Sequence, residues 1–279
     1  MFSRLVTAFL IFAATGAGLR AQTLVYTNFT GASGISRNQA DLDLVSGAIV
    51  LASSNRDKRG AFFTTTQFNV TGFSAVFDFR ISSPGGSAFD GGELQSGADG
   101  LAFVIQNSSS GSNAIGGFGV GLGYSGIGSS VAVEFDTFKN SATSDPDTNH
   151  IGINSNGSTT SLATASVGTA LDGGVKWTAW VDYNGSTMEV RLSQDGIRPV
   201  SAQLSYAIDV ASAVGSSSAY IGFTGATGSA YGNHEILGFA FSDTYLTNGI
   251  SAVPEPSTYA LMALGLGLVG VRIWRRRRA

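Results

Sequence analysis

Between Val131 and Asp136 apolar and polar side chains alternate, with Val131, Val133 and Phe135 on one side and Ala132, Glu134 and Asp136 on the other. A period of two is that of an extended strand, so the run predicts one apolar face for a core and a second face bearing two carboxylates. Glu134 and Asp136 then project from the same face, roughly 7 Å apart at the backbone. A lone strand leaves its backbone donors and acceptors unpaired, so such a segment demands a sheet around it. The rest of the chain supplies one. Leu24–Tyr26, Ala48–Leu51, Phe73–Phe79 and Lys176–Tyr183 are short β-rich runs set apart by Gly, Asn, Ser and Asp. No long amphipathic pattern separates them, which favours a sandwich or barrel over βαβ units. Asn184-Gly185, between Lys176–Tyr183 and Thr187–Leu192, reads as a two-residue hairpin turn. The chain has 279 residues and no cysteine, long enough for one large all-β domain without a disulfide.

Downstream of the strand the sequence continues Phe138-Lys139-Asn140, then Asp145-Pro146 and His150. Asp145-Pro146-Asp147 is turn chemistry, which folds the loop back toward Glu134 and Asp136. Hard divalent cations take oxygen ligands and softer first-row cations accept imidazole. Two sites can be drawn. Glu134, Asp136, Asp145 and His150 suit a Mn²⁺-type ion. Asp136, Asp145, the Asn140 amide and a backbone carbonyl near Phe138 suit Ca²⁺. The plain alternative is a solvated acidic loop after an ordinary strand.

This stretch resembles the metal-binding segment of the legume (L-type) lectins, in which Glu-x-Asp, an aromatic, an Asn, Asp-Pro and a His follow at these spacings. Ala98-Asp99-Gly-Leu-Ala-Phe103, the glycine loop Ile115–Gly123 and the stretch Tyr220–Gly228 followed by His234–Phe241 are similar to further motifs of that family, in family order. The resemblance covers about residues 22–247. It implies an all-β, concanavalin A-like jelly-roll β-sandwich holding Ca²⁺ and Mn²⁺ through Glu134, Asp136, Phe138, Asn140, Asp145 and His150. It further implies a glycan or exopolysaccharide as partner, bound by Asp99, Gly117, Phe138, Asn140 and Ser229, with Ala98–Asp99 as a cis peptide. A homo-oligomer is compatible with it. His234 reads as a surface residue entering a strand, Trp177 and Trp180 as packing residues, and Arg56–Arg59 as a solvated turn without a role.

Catalysis has a weaker claim. Jelly-roll glucanases carry Glu-x-Asp-x-x-Glu, and retaining hydrolysis needs two carboxylates about 5–5.5 Å apart. Here the last position is Lys139, so no enzyme is expected. A metal-stabilised matrix or surface protein without sugar binding is the competing non-enzymatic reading.

The ends carry addresses. Residues 1–21, with Arg4 and an apolar run from Leu5 to Ala14, read as a secretory signal peptide. At the other end, after a linker at 248–253, come Pro254-Glu255-Pro256, an apolar run Tyr259–Val271 and the arginines 272 and 275–278. Thirteen residues of helix span only about 20 Å, short of a bilayer's roughly 30 Å core. The tripartite order at 254–279 resembles the PEP-CTERM sorting signal of Gram-negative bacteria, which implies a short transmembrane helix, transient inner-membrane anchoring and an exosortase acting near Pro254-Glu255-Pro256. The destination it implies is secretion, the cell surface or the extracellular matrix. Gly265-x-Gly267-x-x-Gly270 mimics a dinucleotide fingerprint but lacks the strand, helix and acidic residue that motif requires. Seven of the 16 Lys+Arg and one of the 19 Asp+Glu lie in the two end segments. The middle therefore carries 9 basic and 18 acidic side chains, a net charge of −9, which argues against nucleic acid as a partner.

Overall fold

The computed structural model describes residues 22–251. The signal peptide at 1–21, Pro254-Glu255-Pro256 and the expected transmembrane helix lie outside these residues. Among the described residues no helix is long and apolar enough to cross a membrane.

Two eight-stranded antiparallel sheets face each other. The first runs Leu204–Ala207, Thr187–Ser193, Trp177–Tyr183, Phe73–Gly86, Ala230–Ser242, Ile49–Ala52 and Asp41–Leu42, with Thr23–Tyr26 also pairing on Ala230–Ser242. The second runs Ala163–Ser166, His150–Ser155, Ser130–Asp136, Gly100–Gln106, Ser218–Ala226, Arg59–Thr64 and Ile35–Asn38, with Phe68–Asn69 also pairing on Ser218–Ala226. This is the all-β sandwich expected. Alternate residues of both sheets meet in one core, where Phe77, Phe79, Phe103, Phe135, Phe223 and Phe239 are fully buried. Phe77 and Phe223 meet edge to face at 4.8 Å between centroids, the arrangement that the ring quadrupoles favour.

Val131, Val133 and Phe135 enter this core, as their alternation predicts. The opposite face of the second sheet is also covered. The glycine-rich segment after Gln106 folds over it, and Ala114, Leu122, Tyr124 and Ile127 pack on Ala61, Phe63, Ala102, Val104 and Ala132. Glu134 and Asp136 are therefore enclosed between the sheet and this loop rather than exposed on a flat surface.

In the glycine-rich stretch after Pro84, Ala88–Asp90 and Glu93–Gln95 form a separate hairpin. Three details differ from the sequence reading. The loop between Trp177–Tyr183 and Thr187–Ser193 has three residues, not two. The Asn184 side chain closes it by accepting from the backbone N–H groups of Ser186 and Thr187. His234 is fully buried rather than at the surface. Irregular register on either side of it, between Tyr231 and Asn233 and between His234 and Glu235, shifts the parity by which a face is read. Finally, the expected linker is ordered as far as it is described: the Trp180 indole donates to the Ile250 carbonyl at 2.9 Å and packs with Ile250, Val76 and Ala240.

Candidate functional site

The site lies where three neighbouring strands end. Gly100 pairs with Asp136 on one side and Ala226 on the other, which sets Asp99 between the loop after Asp136 and the loop after Ala226. A side chain at Gly100 would overlap the Phe135 carbonyl, so only glycine allows this approach. The Asp99 backbone is held at both ends, its N–H donating to the Ala226 carbonyl and its carbonyl accepting from Thr137 N–H at 2.9 Å. The Ala98–Asp99 peptide is cis, as the sequence resemblance implied.

On the other flank, Asp136 pairs with His150 and Glu134 with Gly152. One ligand atom each from Asp136, Asp145 and His150 lie within 4.8 Å of one another. Glu134 Oε1 and Asp145 Oδ1 are each 3.9 Å from His150 Nε2. The His150 Nδ1 lies 3.1 Å from the Asp147 carbonyl. A carbonyl can only accept, so in the neutral ring Nδ1 carries the proton and Nε2 presents its lone pair. Asp145 turns back as expected, accepting from the Asn140 N–H at 2.7 Å and from the Thr143 hydroxyl at 2.8 Å. Asp136 accepts from the Phe138 N–H at 2.7 Å, which fixes the turn after the strand. The Phe138 ring itself is buried against Ala98, Ala230 and Ala88.

Glu134, Asp136 and Asp99 are all buried, and among the described residues the ion pairs of Glu134 and Asp145 go to His150 alone. Burial, then the nearby charges of Glu134 and Asp145, pushes the Asp136 carboxyl well above the usual carboxylate range. Burial likewise raises Glu134, opposed by hydrogen bonds from Ser161 and Tyr124. Asp99 is pushed up to about 7 by burial, opposed by a hydrogen bond from the Gly228 backbone. Three buried atoms of the site find no hydrogen-bond partner among the described residues: His150 Nε2, Asn140 Oδ1 and Asp99 Oδ2. The first two are a nitrogen lone pair and an amide oxygen beside converging carboxylates. That donor set fits a divalent cation, whose charge would hold the carboxylates ionised. A Cβ at Gly152 would overlap Glu134 Oε1 and Ser161 Oγ, so this glycine keeps the space that Glu134 fills.

The residues expected to meet a sugar are only partly brought together. Ser229 is exposed beside Gly228, and Gly228 closes on Asp99. The Gly117 N–H donates to the Ser125 carbonyl and hydroxyl, both at 3.2 Å. The loop glycine at Asp99 is Gly119, with φ +57°, where a Cβ would stand 3.8 Å from Asp99 Oδ2. Two further features carry roles that the sequence reading did not assign. Arg59 donates to the Gly116 carbonyl at 2.6 Å and lies 4.1 Å above the half-exposed Phe118 ring, so it supports the glycine loop rather than a bare turn. Asp90, at the tip of the hairpin, bonds the Ser141 hydroxyl and backbone N–H, and Gln95 exchanges two hydrogen bonds with the Lys139 backbone. The hairpin thus clamps the loop that carries Asn140.

The legume lectin domain model matches residues 22–255. The chain belongs to the legume lectin domain family. Its final segment, residues 252–278, matches the PEP-CTERM protein-sorting motif. The chain thus joins a legume lectin domain to a protein-sorting motif. Among curated relatives, the L-type lectin-domain containing receptor kinase SIT2 of Oryza sativa subsp. japonica is 30% identical over 79% of this chain and 35% of that protein. Receptor kinase VIII.1 of Arabidopsis thaliana is 32% identical over 63% of this chain and 24% of that protein. The chain thus spans about a third or less of these relatives, and the kinase activity in their names is not carried over to it. Among solved structures, peanut lectin with a nine-residue peptide matches at a TM-score of 0.65 and 24% identity, covering 80% of this chain and 97% of that one. Winged bean acidic lectin complexed with methyl-α-D-galactose matches at 0.65 and 23%, covering 80% and 98%. At these identities the structural likeness establishes the fold.

Proposed function

We propose that the domain binds carbohydrate over Asp99, in a site whose loops are ordered by two divalent cations. The observation that carries this reading is the group of buried carboxylates Glu134, Asp136 and Asp145 converging on a bare imidazole nitrogen. Glu134, Asp136, Asp145 and His150 would hold a Mn²⁺-type ion. Asp136, Asp145, the Asn140 amide oxygen and the Phe138 carbonyl would hold Ca²⁺. Both cations would supply positive charge that offsets the buried carboxylates and fixes the loop from Phe138 to Asp145 before a sugar arrives, which lowers the ordering cost of binding. Asp99 then accepts from sugar hydroxyls, with Asn140, the 116–119 glycines and Ser229 around it. The methyl-α-D-galactose complexed with the winged bean lectin is consistent with a hexose-sized ligand. After passage through the inner membrane, processing near Pro254-Glu255-Pro256 would leave the lectin at the cell surface or in the exopolysaccharide.

A glycan array of the purified protein, run with Ca²⁺ and Mn²⁺ and again with EDTA, tests this together with elemental analysis. Metal-dependent glycan binding is the expected result. Protein that contains both metals yet binds no glycan would be a metal-stabilised surface protein instead. Folded protein that takes up no metal would refute the ligand assignment.

A further inference from the structure

We propose that Tyr124 is a positioning residue that links the imidazole-side cation to the glycine loop of the sugar site. This rests on the metal reading above and concerns a contact outside the ligand set. Tyr124 is fully buried, and its hydroxyl donates to Glu134 Oε2 at 2.7 Å. The same hydroxyl accepts from the Asn154 amide at 2.8 Å. Ser161 donates to the other carboxylate oxygen, Oε1, and its hydroxyl lies 3.1 Å from the Asn154 side-chain Oδ1. Glu134 is thus pinned at both oxygens, while Oε1 keeps a lone pair facing His150 Nε2.

The packing of the Tyr124 ring among Ala61, Ala102, Val104 and Leu122 would be served as well by phenylalanine. What the hydroxyl adds is a short hydrogen bond to a carboxylate, the stronger kind. Groups that orient a metal ligand in this way affect affinity without touching the ion.

Tyr124 also belongs to the glycine loop. Its N–H donates to the Gly121 carbonyl, and the adjacent Gly123 bonds with both Gly116 and Gly117. The same loop carries Gly119 against Asp99. One side chain therefore runs from the cation ligand Glu134 to the loop that covers the sugar-binding carboxylate. A cation that draws Glu134 toward itself pulls on Tyr124, and through it on residues 116–125. This route is separate from the one through Asn140, which lies on the other side of Asp99.

The test uses the full-length chain, saturated with Ca²⁺ and titrated with Mn²⁺. Mn²⁺ binding is followed by calorimetry and by electron paramagnetic resonance, and loop ordering by hydrogen exchange of residues 116–125. Tyr124→Phe is expected to weaken Mn²⁺ by about 10–100-fold, the range for lost orienting groups, with Ca²⁺ affinity unchanged. At equal Mn²⁺ occupancy, the protection that Mn²⁺ brings to 116–125 in the wild type should be lost in the variant. Ser161→Ala, which removes the other donor but lies outside the loop, should weaken Mn²⁺ and keep that protection. Should Tyr124→Phe fail to fold, a wild type whose residues 116–125 gain no protection on Mn²⁺ binding overturns the link on its own. Wild-type Mn²⁺ affinity in Tyr124→Phe overturns the proposal while leaving the metal site intact. Persistent loop protection in that variant overturns the link. A folded wild type that binds no Mn²⁺ at all removes both this inference and the metal reading beneath it.

Discussion

Replacing Asp99 with asparagine should stabilise the metal-free protein at alkaline pH and do almost nothing in acid. Asp99 is 4% exposed, and its Oδ2 has no hydrogen-bond partner among the described residues. Burial raises its folded pKa from 3.8 to about 7. The unfolded chain ionises near the lower value, so between the two the folded state binds more protons than the unfolded state. Stability then falls as pH rises through this window, and the full cost is present above about 7. The shift corresponds to about 4 kcal/mol at 1.36 kcal/mol per unit, as an upper limit. An amide at this position carries no charge and avoids the cost while keeping an acceptor for the Gly228 N–H. Removing the charge also relieves Asp136, which Asp99 raises further. In EDTA, denaturant unfolding at about pH 8 should show Asp99→Asn more stable by up to about 4 kcal/mol, or roughly 10 °C in Tm for a domain of this size, with the difference vanishing near pH 4. Sugar binding should be lost in the same variant, since the charge that is costly to bury is the one offered to the ligand. A stability difference that does not change with pH, or a variant less stable than wild type at pH 8, would refute the reasoning.

Gly152→Ala should displace Glu134 and cost about 1–3 kcal/mol, as overpacking does, with calorimetry showing Mn²⁺ weakened more than Ca²⁺; equal loss of both would sink the separate role of Glu134. His234, fully buried and held down to about 3 by burial, should stay neutral by NMR from pH 8 to about 4. Its unfolded form takes a proton near 6.5, so it contributes stability that is lost as pH falls below that value, up to about 3 kcal/mol by pH 4.5. His234→Met should flatten that acid slope in denaturant unfolding, and an unchanged slope would assign it to other groups. Replacing Pro254-Glu255-Pro256 with alanines should retain the chain in the inner membrane fraction; mass spectrometry that finds the arginines at 275–278 on wild-type extracellular protein would contradict processing at that motif.

The cluster was legible because its ligand types sit on one strand and one short loop. Parity alone put Glu134 and Asp136 on one face, and Pro146 with its neighbours marked the turn that returns Asp145 and His150. The core was legible for the same reason, since Val131, Val133 and Phe135 alternate without interruption. Parity failed at His234, where irregular register on both sides of the residue breaks the count. It also failed at the hairpin Ala88–Gln95, whose strands have three residues each and too little pattern to register among glycines. Tyr124 and Arg59 were missed for a different reason. Each acts through a contact set by tertiary packing, Tyr124 ten positions from Glu134 and Arg59 fifty-seven from Gly116, and neither contact leaves a local spacing to read.

The division of labour in the site follows from where its parts are anchored. Glu134, Asp136 and His150 lie in paired strands, and Asp99 is tied by backbone bonds to Thr137 and Ala226 on either side. These positions move only if the sheet moves. The loops at 117–119 and 227–229 reach the same place from outside the sheet, and they meet each other through Gly119 N–H and the Thr227 carbonyl. A substitution at Phe118 or Ser229, away from Tyr124, changes the shape around Asp99 and leaves the carboxylate–imidazole cluster in place. A substitution in the strands changes the ligands and, through Thr137 and Tyr124, the pocket as well. The surface around Asp99 can therefore vary at 117–119 and 229 while the cluster stays fixed, and the reverse change would cost the fold its means of burying Glu134, Asp136 and Asp99 together.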